Sequence, residues 1–133
     1  MKRDKLRIEE SMTTDLFTTH PEETIDLVTH LMEWKHIRHV PVEDAEGRLV
    51  GLVSYFEVLR YFNQTKVQDS EPVPVSELMN PSPLVVSPET SIQEAFALMA
   101  DRKADCLLVV KDEHLVGIVT EHDVLNITSD LLG

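Results

Sequence analysis

Basic residues are scarce in this chain. Twelve Lys and Arg stand against 24 Asp and Glu, for a net charge of −12 and a pI near 4.8. That balance argues against non-specific nucleic-acid or anionic-membrane binding, both of which need a basic surface. Cysteine is nearly absent. The single Cys106 excludes an internal disulfide framework and fits a reducing, cytoplasmic setting. No apolar run approaches the roughly 20 residues that span a bilayer. The start, Met1-Lys2-Arg3-Asp4-Lys5, has no apolar segment behind it and does not read as a signal peptide. Aromatics make up only 5% of the residues, so the core should be aliphatic, and 42% hydrophobic content over 133 residues suffices to build one. No nucleophile–base pair and no Gly-rich phosphate loop is present, so no enzyme is expected. The six histidines scatter, apart from His36 and His39, without the Cys or carboxylate partners of a metal site. Cys106 lies in an apolar run and reads as a small buried hydrophobe rather than a nucleophile.

What is present is a repeat. Displacing the sequence by 67 positions superposes Met12 on Met79, Pro21 on Pro88, Ile25 on Ile92, Leu31 on Leu98, Met32 on Met99 and Val42 on Val109. After one deletion the displacement is 66, and Gly51 meets Gly117, Val53 meets Val119, and Val58-Leu59 meets Val124-Leu125. The deletion falls between Asp44–Arg48 and Lys111–His114, in turns that tolerate a change of length. Ile8 aligns with Val75, which suggests a short lead-in to each copy. The expected division is a first repeat with its lead-in at 1–62, a polar linker at 63–74 containing Pro72 and Pro74, and a second repeat at 75–133.

Within each copy the periodicity predicts a strand (16–19, or Leu84-Val85-Val86), a turn, then a helix. In the second copy Thr90 is the expected cap, with Gln93 completing a capping box. Ile92, Ala95, Phe96 and Met99 form the apolar stripe; in the first copy Ile25, Val28, Leu31 and Met32 do so. Hairpins follow at 39–42 with 49–53, and at 106–110 with 115–119. Pro41 cannot donate to a ladder, so its strand should be an edge or kinked. A last helix begins after Ser54 or Thr120. The unit is strand–helix–strand–strand–helix with both helices on one face, an α+β arrangement. One copy is too small to bury a core well, so two copies are expected to pack sheet to sheet about a pseudo-twofold axis.

The two hairpins end alike, in Val50-Gly51-Leu52-Val53-Ser54 and Val116-Gly117-Ile118-Val119-Thr120, each followed three residues later by an acid. Ser54 with Glu57 fits a capping box fully. Thr120 with Asp123 fits it less well, since Asp has one methylene less to reach back with. A helix-starting role and a ligand-receiving role at a strand-to-helix junction both remain open.

The order of these motifs is Pro-Glu-x-x-Ile opening the first helix, His39-Val40-Pro41-Val42 in the hairpin and Gly117-Ile118-Val119-Thr120-x-x-Asp123 closing it. It resembles the cystathionine-β-synthase (CBS) domain family, and two copies resemble a Bateman module, over about Ile8 to Ile127. The resemblance implies two CBS-type βαββα repeats and a non-enzymatic regulatory module. Such a module binds an adenosine-containing ligand between its repeats and relays occupancy to a fused or separate partner. It commonly forms homodimers through its helices. Carried over residue by residue, Asp123 would accept from the ribose hydroxyls with Thr120 assisting. A carboxylate suits a diol because it only accepts. Phe17, Thr18 and Thr19 would frame the adenine, and Arg38, His39, Val40 and Pro41 would line the base and phosphate side. The mirror-related set is Ser54, Glu57, Val85, Val86, Cys106 and Leu107. It is expected to be weak or empty, because Glu57 replaces the ribose Asp and Arg102 and Lys103 belong to a solvated helix end. Asp105 stands where nucleotide-binding members often carry a base, and Phe56 where some have a lysine. AMP or ADP is therefore favoured over ATP, with S-adenosylmethionine admitted. No metal, cofactor, nucleic acid or membrane is expected. The alternative is a dimerising interaction module that binds no ligand.

Overall fold

Two 11-residue helices, α1 (Ile25–Lys35) and α3 (Ile92–Arg102), stand 67 positions apart, the displacement that relates the repeats. They come from a computed structural model that describes residues 6–64 and 71–133. The start at 1–5, where no signal peptide was read, and residues 65–70 of the expected linker lie outside the described residues. Each helix ends on a left-handed residue, His36 (φ 55°) or Lys103 (φ 53°). The next amide then turns back: Ile37 N–H donates to Met32 O at 3.0 Å, and Ala104 N–H to Met99 O at 2.9 Å. These closures satisfy carbonyls that the helix end leaves open.

The hairpins follow in register. β1 (His39–Glu43) pairs antiparallel with β2 (Leu49–Ser54), and β4 (Cys106–Lys111) with β5 (His114–Thr120). The closing helices are α2 (Tyr55–Gln64) and α4 (Glu121–Leu132). The α+β composition is as expected, and no helix among the described residues is long and apolar enough to cross a membrane.

Two expectations change. The cap of α3 is Ser91, not Thr90: Ser91 Oγ accepts the Glu94 N–H at 3.0 Å, because the backbone is still extended at Ser91 (ψ 153°). The expected first strand also forms in only one copy. In the second, β3 (Val85–Val86) runs parallel to β4, and Leu108 N–H donates to Leu84 O at 2.9 Å. In the first, the position matching Leu108 is Pro41, which has no N–H to give. Pairing of 16–19 with β1 shrinks to one bridge, Thr19 to Val42. Thr19 N–H donates to Pro41 O at 3.0 Å, and Glu43 N–H to Thr19 O at 2.9 Å. Pro41 thus sits on the outer side of a two-stranded sheet.

The chain forms two compact units, 17–82 and a second made of 1–16 with 83–133. These do not coincide with the sequence repeats, because the lead-ins are exchanged. The first repeat's lead-in, a 3-10 turn at Ile8–Glu10, belongs to the unit of the second repeat. There Ile8 N–H donates to Thr90 O (2.7 Å) and Ile92 N–H to Leu6 O (2.8 Å). Ile8 is fully buried, in a core with Val86, Ile92, Ala95, Met99, Leu107, Val109, Val119 and Ile127. The second lead-in, Val75–Glu77, does the same within unit 17–82. Val75 N–H donates to Glu23 O (2.8 Å), and Ile25 N–H to Val73 O (2.9 Å). Val75 joins Val28, Met32, Val40, Val42 and Val53, with Val58 packed against them. Both helices of the unit therefore cover one face of its hairpin.

Candidate functional site

In the unit of 1–16 and 83–133, β5 ends at Thr120, whose extended backbone (φ −112°, ψ 179°) starts α4. Asp123, one turn on, reaches back: its Oδ2 accepts the Thr120 N–H at 3.0 Å. The shorter side chain therefore completes the contact that it was expected to make poorly. Its other oxygen, Oδ1, accepts from the hydroxyl of Thr13 at 2.8 Å. Thr13 is held against β5 by two backbone bonds to Ile118, both 2.9 Å. The carboxylate is thus oriented by two donors, and each oxygen keeps acceptor capacity, since an ionised carboxylate offers about four lone-pair sites. Thr13 was not singled out from the sequence. It lies 110 positions from Asp123, and only the exchange of lead-ins brings it there.

The matching junction in unit 17–82 is built differently. Glu57 Oε1 accepts both the Ser54 N–H and the Ser54 hydroxyl, each at 2.7 Å. Its Oε2 accepts from Arg60 at 3.1 Å. The hydroxyl expected to cap α2 thus donates to the acid instead, and both oxygens are engaged by groups of the same helix start. Asn80, which matches Thr13, turns its side-chain oxygen to the Ser82 N–H at 3.0 Å.

The other candidates fall into two local groups. In unit 17–82, the bridge of Thr19 to Val42 sets 17–19 beside β1. Arg38 is exposed, and its carbonyl accepts the Tyr55 N–H at 2.9 Å. His39 and Thr19 are buried. Val40 is fully buried in the core, so a ligand could meet only its backbone. The Lys35 ammonium stands 4.8 Å from the Phe17 ring centre and 4.3 Å from that of Trp34, adding a cation next to the adenine candidates. Thr18 and Thr19 also line a groove of about 570 Å³ with Leu27, Leu31, Trp34, Glu23 and Glu33.

In the other unit, β3 sets Val85 and Val86 beside β4. Val86 and Leu107 are core residues. Cys106 is buried, and that burial pushes its thiol far above the ordinary cysteine range. The charges of Asp105, Glu121 and Asp123 push it in the same direction. It is a neutral thiol, unsuited to nucleophilic attack. Arg102, Lys103 and Asp105 are exposed.

The family model of the CBS domain matches this chain twice, at residues 7–64 and 75–130. The CBS domain-containing protein YhcV of Bacillus subtilis is 31% identical over 88% of this chain and 81% of its own length. An inosine-5'-monophosphate dehydrogenase of Methanocaldococcus jannaschii is 28% identical over 90% of this chain, which spans only 23% of that protein. Among solved structures, CBSX2 in complex with AMP is similar with a TM-score of 0.85 and 29% identity, covering 96% of this chain and 99% of that one.

Proposed function

Because the chain belongs to the CBS domain family, with two copies of the domain, we propose that it is a non-enzymatic regulatory module of the cytoplasm that binds an adenosine-containing ligand and relays its presence to a partner domain or protein. The observation that carries this reading is Asp123. Its carboxylate is held by two donors at the start of α4 with acceptor capacity to spare. In this reading it takes the ribose hydroxyls, and Thr120 assists. Phe17, Thr18 and Thr19 frame the base. Arg38 and His39 serve the phosphate, with Val40 and Pro41 beside them. The likeness to CBSX2 bound to AMP supports an adenine nucleotide. AMP or ADP is favoured over ATP, because a net charge of −12 and an exposed Asp105 oppose each added phosphate. S-adenosylmethionine, a cation, is compatible with the same field. The second set is the weaker one, since Ser54 places two donors on Glu57 Oε1 and Arg60 one on Oε2, so that the carboxylate keeps acceptor capacity on one oxygen where Asp123 keeps it on both. Binding would act on the partner by favouring one of two arrangements of the module.

The test is a thermal-shift series with AMP, ADP, ATP, S-adenosylmethionine and adenosine. A ligand that binds only the folded state raises Tm once it exceeds its Kd. The expected result is a rise with AMP or ADP that vanishes in Asp123→Ala while unliganded folding is kept. Equal shifts in wild type and Asp123→Ala would overturn the site.

A second reading, a module that dimerises through its helices, is favoured by α2. Tyr55, Phe56, Leu59 and Phe62 are between 38% and 56% exposed, and no described residue of that helix is buried. A run of exposed apolar side chains on one helix suits an interface. Sedimentation of wild type and Leu59→Glu decides it: a dimer that becomes a monomer supports the reading, and a wild-type monomer at high concentration rejects it.

A further inference from the structure

We infer that Thr13 is a positioning and specificity-determining residue for the ribose diol, acting through Asp123; this rests on the ligand reading above. Three observations carry it. The Thr13 hydroxyl donates to Asp123 Oδ1 at 2.8 Å, while Oδ2 is held by the Thr120 N–H at 3.0 Å. A carboxylate with one donor on each oxygen cannot swivel, so its remaining lone pairs point in set directions. Thr13 is itself immobilised, since its N–H and C=O both bond to Ile118 at 2.9 Å. The bond is also particular to this junction. At the repeat-related place, Asn80 makes the same backbone pair with Leu52 (2.8 and 3.0 Å), yet its side chain serves Ser82 and Glu57 is held from its own helix.

The function follows from acceptor arithmetic. An ionised carboxylate has about four acceptor directions. Thr13 and Thr120 fill one on each oxygen. What is left is one direction on each, which matches two adjacent hydroxyls and fits a single hydroxyl or none less well. Removing Thr13's hydroxyl frees the carboxylate to rotate about its χ2 bond, and the geometry for a vicinal diol is lost even though the charge stays. The same bond links ligand and lead-in: a diol that fixes Asp123 also fixes Thr13, the segment that carries Ile8 into the core.

The experiment is calorimetric titration of AMP and 2′,3′-dideoxyadenosine monophosphate into wild type, Thr13→Val, Thr13→Ser and Asp123→Ala. Val keeps the shape of Thr without its donor, and Ser keeps the donor. Wild type and Thr13→Ser should prefer AMP over the dideoxy analogue. Thr13→Val should lose about tenfold in AMP affinity, the scale of one hydrogen bond to a charged group, and leave the analogue's affinity unchanged. If Thr13→Val does not fold, Thr13→Ala takes its place in the same comparison. Equal losses for both ligands would mean a merely structural Thr13 and overturn the inference, as would unchanged AMP affinity in Thr13→Val while Asp123→Ala fails to bind. Wild type that binds neither ligand, or Asp123→Ala that binds AMP as wild type does, overturns the ligand reading itself and the inference with it.

Discussion

Asp123 and Glu57 occupy the same place in two copies of one unit, and one methylene separates their fates. The longer Glu57 folds back onto Ser54 and also reaches Arg60. The shorter Asp123 touches the Thr120 amide with one oxygen and leaves the other to Thr13. Glu57→Ala should therefore cost mainly stability, about 0.5–2 kcal/mol by the scale of lost caps, in a denaturant melt without ligand. Ser91→Ala should cost about 1 kcal/mol. Thr90→Ala should cost much less, since among the described residues its hydroxyl meets only the exposed Ser87 hydroxyl, at 3.2 Å. The reverse ranking would restore Thr90 as the cap. That choice was not legible in the sequence, where Thr90 and Ser91 are both good caps; the backbone dihedrals made it. Asp44, in the first hairpin turn, has its carboxyl held below the ordinary 3.8, first by the Arg48 amide, against the opposing pull of desolvation, and then by the Glu46 amide and the Arg48 guanidinium. A lowered folded value means the turn's contribution is complete above 3.8 and fades as pH falls through the folded value. The Arg48 amide should lose its protection in that acid window and nowhere above it, as followed by NMR.

At the scale of elements, the lead-ins are what the repeat pattern could not place. Their existence was legible, since Ile8 aligns with Val75 and Met12 with Met79. Their destination was not, because alignment relates equivalent residues and says nothing of which copy each one packs on. The glycines show how close the docking is. A Cβ on Gly51 would stand 2.6 Å from Met79 Sδ and 3.1 Å from Asn80 O, and one on Gly117 would collide with Met12 Sδ. Gly51→Ala should destabilise by about 1–3 kcal/mol, the usual range of overpacking, because the Asn80 carbonyl is backbone and cannot step aside. Ile8→Ala, which hollows out a fully buried site, should cost about 2–5 kcal/mol. Hydrogen exchange should show the loss in α3 and β5 before β1 and β2; equal loss in both units would mean that Ile8 does not serve one unit preferentially. The second hairpin carries visible strain. Asp112 (φ 52°) and Glu113 (φ 68°) both adopt left-handed conformations in a two-residue turn that favours Asn-Gly. Replacing that pair with Asn-Gly should raise stability by about 1 kcal/mol, measured as a higher Tm.

For the whole molecule the dominant quantity is charge. At −12 the chain repels anionic ligands at long range, and salt screens that repulsion over a Debye length of about 8 Å at physiological ionic strength. The advantage of AMP over ATP should therefore narrow as sodium chloride is raised. A gap that does not change with salt would assign the discrimination to local contacts instead.

The sequence by itself determined the repeat, the α+β unit, the apolar stripes of α1 and α3, the hairpins and the strand-to-helix junctions at Ser54 and Thr120. All of these are local periodicities or short-range spacings, which a chain carries wherever it folds. Pro41 was legible as an edge residue, but its effect on the neighbouring strand appears only beside Leu108, whose amide makes the bond that Pro41 cannot. Tertiary structure alone decided that Val40, Val86 and Leu107 face cores, and that Thr13 meets Asp123 across 110 positions. The reason is that a hydrogen bond depends on distance in space, and the exchange of lead-ins brings together residues that no spacing along the chain connects.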